Sequence, residues 1–360
     1  MMMMMAMMVY PRVALSVVVF IFLSVQADFA CARFNGHVPQ SLPRDSLVVS
    51  PRPEDYLLDE AVPKHWDWRN VDGKNYVTSD VNQHIPQYCG SCWIHGTVAA
   101  INDRIKIMRK ARFPDAMISR QAVVNCALNE SGVAPGCNGG EPWMVFKLML
   151  EKWIPDETCQ PYQARNFLCT DLNVCRNCDA QDSIGCYALQ PHHFAGFKIK
   201  EYAQVKGRRN IMKEIYERGP ITCSYAATDE FVYNYTQNVN THQGIFVDDT
   251  VYPESSVDHD IEIVGWDETS DGVEYWIARN SWGTYWGEAG WFRIKKGTLH
   301  IEDDCWWALP VVDRLEAFLD GDYMGSYKRG LVKQDDQEKR DYAPRECHRI
   351  APSKTFLNLY

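Results

Sequence analysis

Cys89 and Cys92 stand two residues apart in the run Gln83-His84-Ile85-Pro86-Gln87-Tyr88-Cys89-Gly90-Ser91-Cys92-Trp93. Thiols at that spacing serve four kinds of chemistry: a redox dithiol, half a zinc site, one end of a disulfide, or a nucleophile beside a bridged neighbour. A zinc site would need Cys175 and Cys178 as its second arm, much further along the chain than compact zinc modules allow. A redox dithiol lacks a thioredoxin-like βαβ pattern around Cys89. The nucleophile reading asks for a thiolate, which a helix start favours, and for an imidazole to activate it. Among His192, His193, His242 and His259, only His259 stands near a strand pair followed by an Asn in an aromatic setting, Asn280-Ser281-Trp282-Gly283. The neighbouring pair His192 and His193 reads as loop histidines.

The surrounding elements must hold those groups. From Cys92 onward Val98, Ile101, Ile105 and Met108 follow helical spacing, with Asp103, Arg104, Lys106 and Lys110 left for other faces. Cys92 therefore sits at or near a helix N-terminus. Cys126 to Cys186 is cysteine-dense and rich in Gly and Asn, a stretch of stapled loops. Beyond about residue 190 strand signals dominate, at Ile261-Ile263-Gly265, Val273–Ala278 and Gly290–Ile294. A helical half before a β half predicts an α+β protein of two lobes with a cleft between them.

Around this core, residues 1–27 carry a short apolar run after Arg12 and read as a signal peptide, too short to span a bilayer. No later run is long enough for a membrane span. Residues 28–61, rich in Pro and Arg, predict a short pro-segment, and the charged residues 311–360 a weakly ordered extension. Thirteen cysteines in 360 residues fit an oxidising, exported setting. Asn129-Glu130-Ser131 and Asn234-Tyr235-Thr236 are glycosylation sequons. A net charge of -10 argues against a nucleic-acid partner, and no internal repeat is visible.

Cys89–Trp93, Gly136-Cys137-Asn138-Gly139-Gly140, Asp258-His259 and Asn280–Gly283 occur together in an order that resembles the papain family of cysteine proteases, over roughly 62–310. The resemblance implies a papain-like two-lobe fold, a helical lobe of roughly 62–190 and a β-barrel-like lobe of roughly 191–310, with the active-site cleft between them. It implies Cys92 as nucleophile, His259 as its acid and base, Asn280 orienting the imidazole, and Gln83 with the Cys92 N–H as oxyanion hole. Trp282 would shield the His–Asn bond, while Gly139 and Gly140 would bind substrate. No metal and no cofactor are implied.

Within that family, His84-Ile85-Pro86, Trp66–Gly73, Ile154–Cys159 and the short pro-segment are similar to the cathepsin Z (cathepsin X) subfamily of carboxypeptidases. A cationic His84, charged in acid, would then pair with a substrate's terminal carboxylate, and peptide and protein C-termini would be the partners of a monomer in lysosomes or outside the cell. The implied disulfides are Cys89–Cys137, Cys126–Cys169, Cys159–Cys175, Cys178–Cys186 and Cys223–Cys305, with Cys31 capping Cys92 in the zymogen. Cys347 has no counterpart. Asp258, Asp260 and Glu262 around His259, and Glu141-Pro142, depart from the family pattern and bear on the His pKa and on the substrate pocket. An endopeptidase of the same fold, or an inert secreted scaffold, are the competing readings.

Overall fold

The computed structural model describes residues 36–39, 46–178 and 185–319. The expected signal peptide, Cys31, Cys347 and most of the expected extension lie outside the described residues.

The helix Cys92–Met108 starts after Ser91 and ends where Lys110 and Ala111 take positive φ. Of its expected apolar stripe Val98, Ile101 and Ile105 pack, with Trp93 and Ile94, against the helices Arg120–Cys126 and Pro142–Glu151 in one core, whereas Met108 in the last turn is exposed. The opposite face is also covered. At Gly96 a Cβ would meet the backbone of Ile261 at 3.0 Å, so glycine is what lets the sheet approach this closely. Asp103 and Arg104, expected on other faces of the helix, are consequently both buried. A helix enclosed on both sides must pair its charges internally, and it does so with Arg279 and Glu214.

The sheet is antiparallel throughout and runs, in spatial order, Ile154–Pro155, Gly196–Val205, Asp304–Val311, Ile221–Tyr225, His259–Glu268, Glu274–Arg279 and Trp291–Lys295. Trp66–Asp67 adds to the strand His259–Glu268. A second core of Ile, Val and aromatic side chains fills the sheet's lobe. The two lobes do not divide at residue 190. Val62, Trp68 and Val77 belong to the β-lobe core, whereas Phe197, Ile199, Tyr202, Trp306 and Ala308 from two long strands complete the helical one. The strands Gly196–Val205 and Asp304–Val311 are long enough to serve both.

All five expected disulfides are formed. They consume Cys89, Cys175 and Cys178, which removes the zinc and redox readings. Cys223 and Cys305 face each other across adjacent strands. The strand Asp304–Val311 runs through the expected start of the extension, and the helix Asp313–Leu319 follows it. Leu315 is buried there and Glu316 bonds Arg109 and Arg112, so the extension begins as part of the helical lobe. Among the described residues no helix is long and apolar enough to cross a membrane.

Candidate active site

Cys92 is the first residue of the enclosed helix and, among the described residues, the one cysteine with a free thiol. Its Sγ lies 3.8 Å from Oδ2 of Asp260. Burial first, and the Asp260 carboxylate second, push the thiol well above its ordinary pKa. The depressed value expected from the helix start is thus overridden in this state. The cause is a cover: residues 36–39 cross the site.

Three backbone hydrogen bonds hold that cover. His37 N donates to Asp258 O at 3.1 Å, Val38 N to Gly140 O at 3.0 Å, and Gly140 N to Gly36 O at 2.9 Å. Gly36 rests so closely on Gly90 that a Cβ would meet its carbonyl oxygen at 2.3 Å. Downstream, Leu47 exchanges hydrogen bonds with Tyr202, and Val49 N, Ser50 N and Ser50 Oγ donate to Glu201. Gly140 thus pairs with the covering segment through both its N–H and its carbonyl.

His259 opens its strand opposite Tyr225 and is fully buried. Its Nε2 donates to Asn280 Oδ1 at 2.9 Å, which leaves Nδ1 without a hydrogen-bond partner. The Trp282 ring stacks on the imidazole at 4.7 Å. Burial lowers the pKa of His259 to about 4, and the Asn280 bond and the Asp260 charge only partly oppose it. The acids around it behave differently from one another. Asp258 accepts from Ala227 N, Glu262 pairs with Arg279, and Asp260 alone reaches the thiol.

Gln83 is held from four directions. Its Nε2 donates to Cys89 O at 3.0 Å, its Oε1 accepts from Ser281 Oγ at 2.6 Å, its N donates to Ser281 O, and its carbonyl accepts from the Tyr162 hydroxyl at 2.8 Å. Tyr162 also bonds Ser91, and Ser91 bonds His95; none of these three was singled out from sequence. His84 stacks on Tyr88 at 4.6 Å and its Nδ1 faces the Cys89 N–H at 3.5 Å. Burial drops its pKa to about 4, so the charge expected near its ordinary value of 6.5 is absent until stronger acid or a carboxylate arrives.

The other candidate histidines stay apart from this cluster: the rings of His192 and His193 meet at a tilt of 56° and His242 bonds Asn238 O at its helix end. Asn234 is exposed on the helix Asp229–Thr241, and Asn129 Oδ1 accepts from Ser131 N and Val133 N in a turn. His37, Glu141 and Asp304 bring ligand-type atoms within 4.8 Å of one another, but there the imidazole already answers the carboxylates as a charge partner.

Residues 62–308 match the family model described as papain family cysteine protease. The chain belongs to the papain family. As a member of it, the chain is a cysteine peptidase acting on peptides, with the family's α+β fold. It is 42% identical over 274 residues to cathepsin Z of Onchocerca volvulus, covering 72% of this chain and 81% of that protein. It is 30% identical over 231 residues to a gut-specific cysteine proteinase of Caenorhabditis elegans, covering 60% and 63%. In fold it is similar to digestive procathepsin L2 proteinase from Tenebrio molitor larval midgut, with TM-score 0.59 at 24% identity over 77% of this chain and 78% of that one.

Proposed function

We propose that this peptidase is a carboxypeptidase that removes single residues from peptide C-termini in an exported, acidic setting, acting as a monomer. The observation that carries the reading is His84, which stands one residue after Gln83 and beside the bridged Cys89. Its Nδ1 accepts from the Cys89 N–H, so the neutral ring carries its proton on Nε2, a donor for a substrate's terminal carboxylate. A carboxylate arriving there raises the histidine's pKa and draws a second proton onto the ring. The similarity to cathepsin Z supports the same choice over an endopeptidase.

In this reading residues 28–61 are a pro-segment cleaved near Ala61, and Cys31 caps Cys92 until reduction. Once they leave, solvent reaches the thiol and the burial that holds it neutral is lifted. Cys92 passes its proton to Nδ1 of His259, the ring nitrogen left unpaired, and attacks the peptide carbonyl. Asn280 keeps Nε2–H occupied so that Nδ1 faces the chemistry, and Trp282 shields that bond from water. The oxyanion meets Gln83 Nε2 and the Cys92 N–H. His259 then protonates the departing amine and, in the second half, takes a proton from the water that hydrolyses the thioester.

The test is a pair of peptides, free-ended and C-terminally amidated, incubated with the activated protein in acid and read by mass. The free-ended peptide is expected to shorten one residue at a time while the amide resists. Internal cleavage of both at equal rates would establish the endopeptidase instead. A glycosidase-dependent mobility shift checks Asn129 and Asn234.

A further inference from the structure

The covering segment leaves one side chain in a pocket that the chemistry above does not use. His37 is buried, and its Nδ1 lies 3.1 Å from both carboxylate oxygens of Asp260. Asp260 also accepts from Ser224 Oγ at 2.6 Å, and Ser224 Oγ lies 3.4 Å from Oδ2 of Asp304. Gln204 and Trp306 each donate to Asp304 Oδ1 at 2.7 Å, which fixes that carboxylate's orientation. Glu141 completes the group, within 4.8 Å of His37 and Asp304. Burial opposes a charge on His37, yet the Asp260, Asp304 and Glu141 carboxylates outweigh it and hold the imidazole above its ordinary pKa. The segment thus inserts a cation among three acids.

Beside His37 lies a cavity of about 570 Å³, walled on one side by the covering segment at Pro39, Ser46 and Val48 and on the other by Ser224, Asp304 and Trp306. Of its basic lining groups, Arg52 pairs with Glu54 and Asp55, and His300 with Asp303, which leaves Lys206. With His37 withdrawn, Asp260 is a wholly buried carboxylate without its cation, next to two more acids. Filling that space with an apolar group would leave the charges desolvated and unpaired, the costly arrangement. A side chain longer than histidine has the room to reach Asp304. The backbone around His37 pairs with Gly140 and Asp258, on the side of the site opposite to the one assigned above to His84 and the terminal carboxylate, and this is the amino side of the scissile bond in that reading.

We propose that Asp260, Asp304 and Glu141 determine specificity, and that their pocket takes a lysine or arginine side chain on the amino side of the cleaved bond after the N-terminal segment has left. This rests on the peptidase reading of the site. The test uses the activated protein and free-ended peptides in which each of the three residues before the last is varied among Arg, Lys, Leu and Glu. At one of those positions Arg and Lys are expected to raise kcat/KM over Leu by about tenfold, the worth of one charged hydrogen bond, with Glu slowest. Asp304→Asn and Glu141→Gln should each shrink the ratio of the Arg and Lys peptides over the Leu peptide. Equal rates across the series, or a preference for Leu, overturns the pocket's assignment while leaving the peptidase intact; the unsubstituted protein decides this even if the variants fail to fold. Failure to cleave any peptide overturns the peptidase reading and the pocket with it.

Discussion

Two buried ionic clusters lie along the helix Cys92–Met108, one at its middle and one at its start, and they are built to opposite ends. At the middle, Arg279 donates to Asp103 at 2.6 Å, to Glu262 at 2.7 Å and to the carbonyl of Thr78 at 2.6 Å. Burial works against the guanidinium's charge, but the two carboxylates raise its pKa above the ordinary value. Burial also raises Glu262 well above the usual carboxylate range, as one cation between two acids requires. That cluster joins helix to sheet. At the start, Cys92, His259 and Asp260 are equally buried, yet His259 Nδ1 has no partner and the one cation facing Asp260 comes from a segment outside the matched family region. A cluster whose cation comes from the sheet itself fixes structure; the one whose cation is lent by the covering segment is where chemistry can enter.

The comparison breaks most visibly at Cys92. Cys92→Ala in the activated protein is expected to cut kcat by about 10⁶-fold with an unchanged denaturation midpoint. Activity near the parent's would transfer the nucleophile elsewhere. Arg279→Met should do the reverse, costing about 3–5 kcal/mol of stability by leaving Asp103 and Glu262 buried without their cation, as read by urea unfolding with the disulfides intact. Little loss there would mean that this cluster does not hold helix and sheet together.

Acid stability sharpens the contrast further. His259 is held at about 4 against 6.5 unfolded, so between those values the unfolded chain binds the proton and the native one does not. Stability therefore falls as pH drops from 6.5 to 4, by roughly 3 kcal/mol for this residue. His259→Gln should flatten that slope. His37 carries the opposite sign: its raised pKa makes its contribution complete below 6.5 and lost as pH rises through the folded value. The smallest effect expected is thus looser cover at high pH: in acid the reduced full chain should label at Cys92 more slowly than reduced His37→Leu, and the two rates should converge as pH rises through the raised His37 value. A constant ratio across pH would deny His37 its charge.

The groups assigned to the proposed chemistry are legible because each sits in a local pattern: Cys92 at a helix start, His259 and Asn280 at adjacent strand ends. Three strands of the β half, His259–Glu268, Glu274–Arg279 and Trp291–Lys295, are also readable, since alternation is local. What escaped depends on distant partners. Asp103 and Arg104 look solvent-facing on a helical wheel, and it takes Thr78 and Arg279, the latter 176 residues away, to show that Asp103 faces inward. His37 gave no signal at all, because the Asp260 that explains it lies 223 residues on. The charged composition after residue 310 likewise hid the single buried Leu315 that seats the helix Asp313–Leu319.

Alkylation of the activated protein by an electrophilic epoxide tests the reactive pair most directly, with the labelled residue read by peptide mass and the rate followed against pH. The account predicts modification of Cys92 at a rate that collapses in His259→Ala. Absence of label on Cys92, or a rate indifferent to His259, would contradict it.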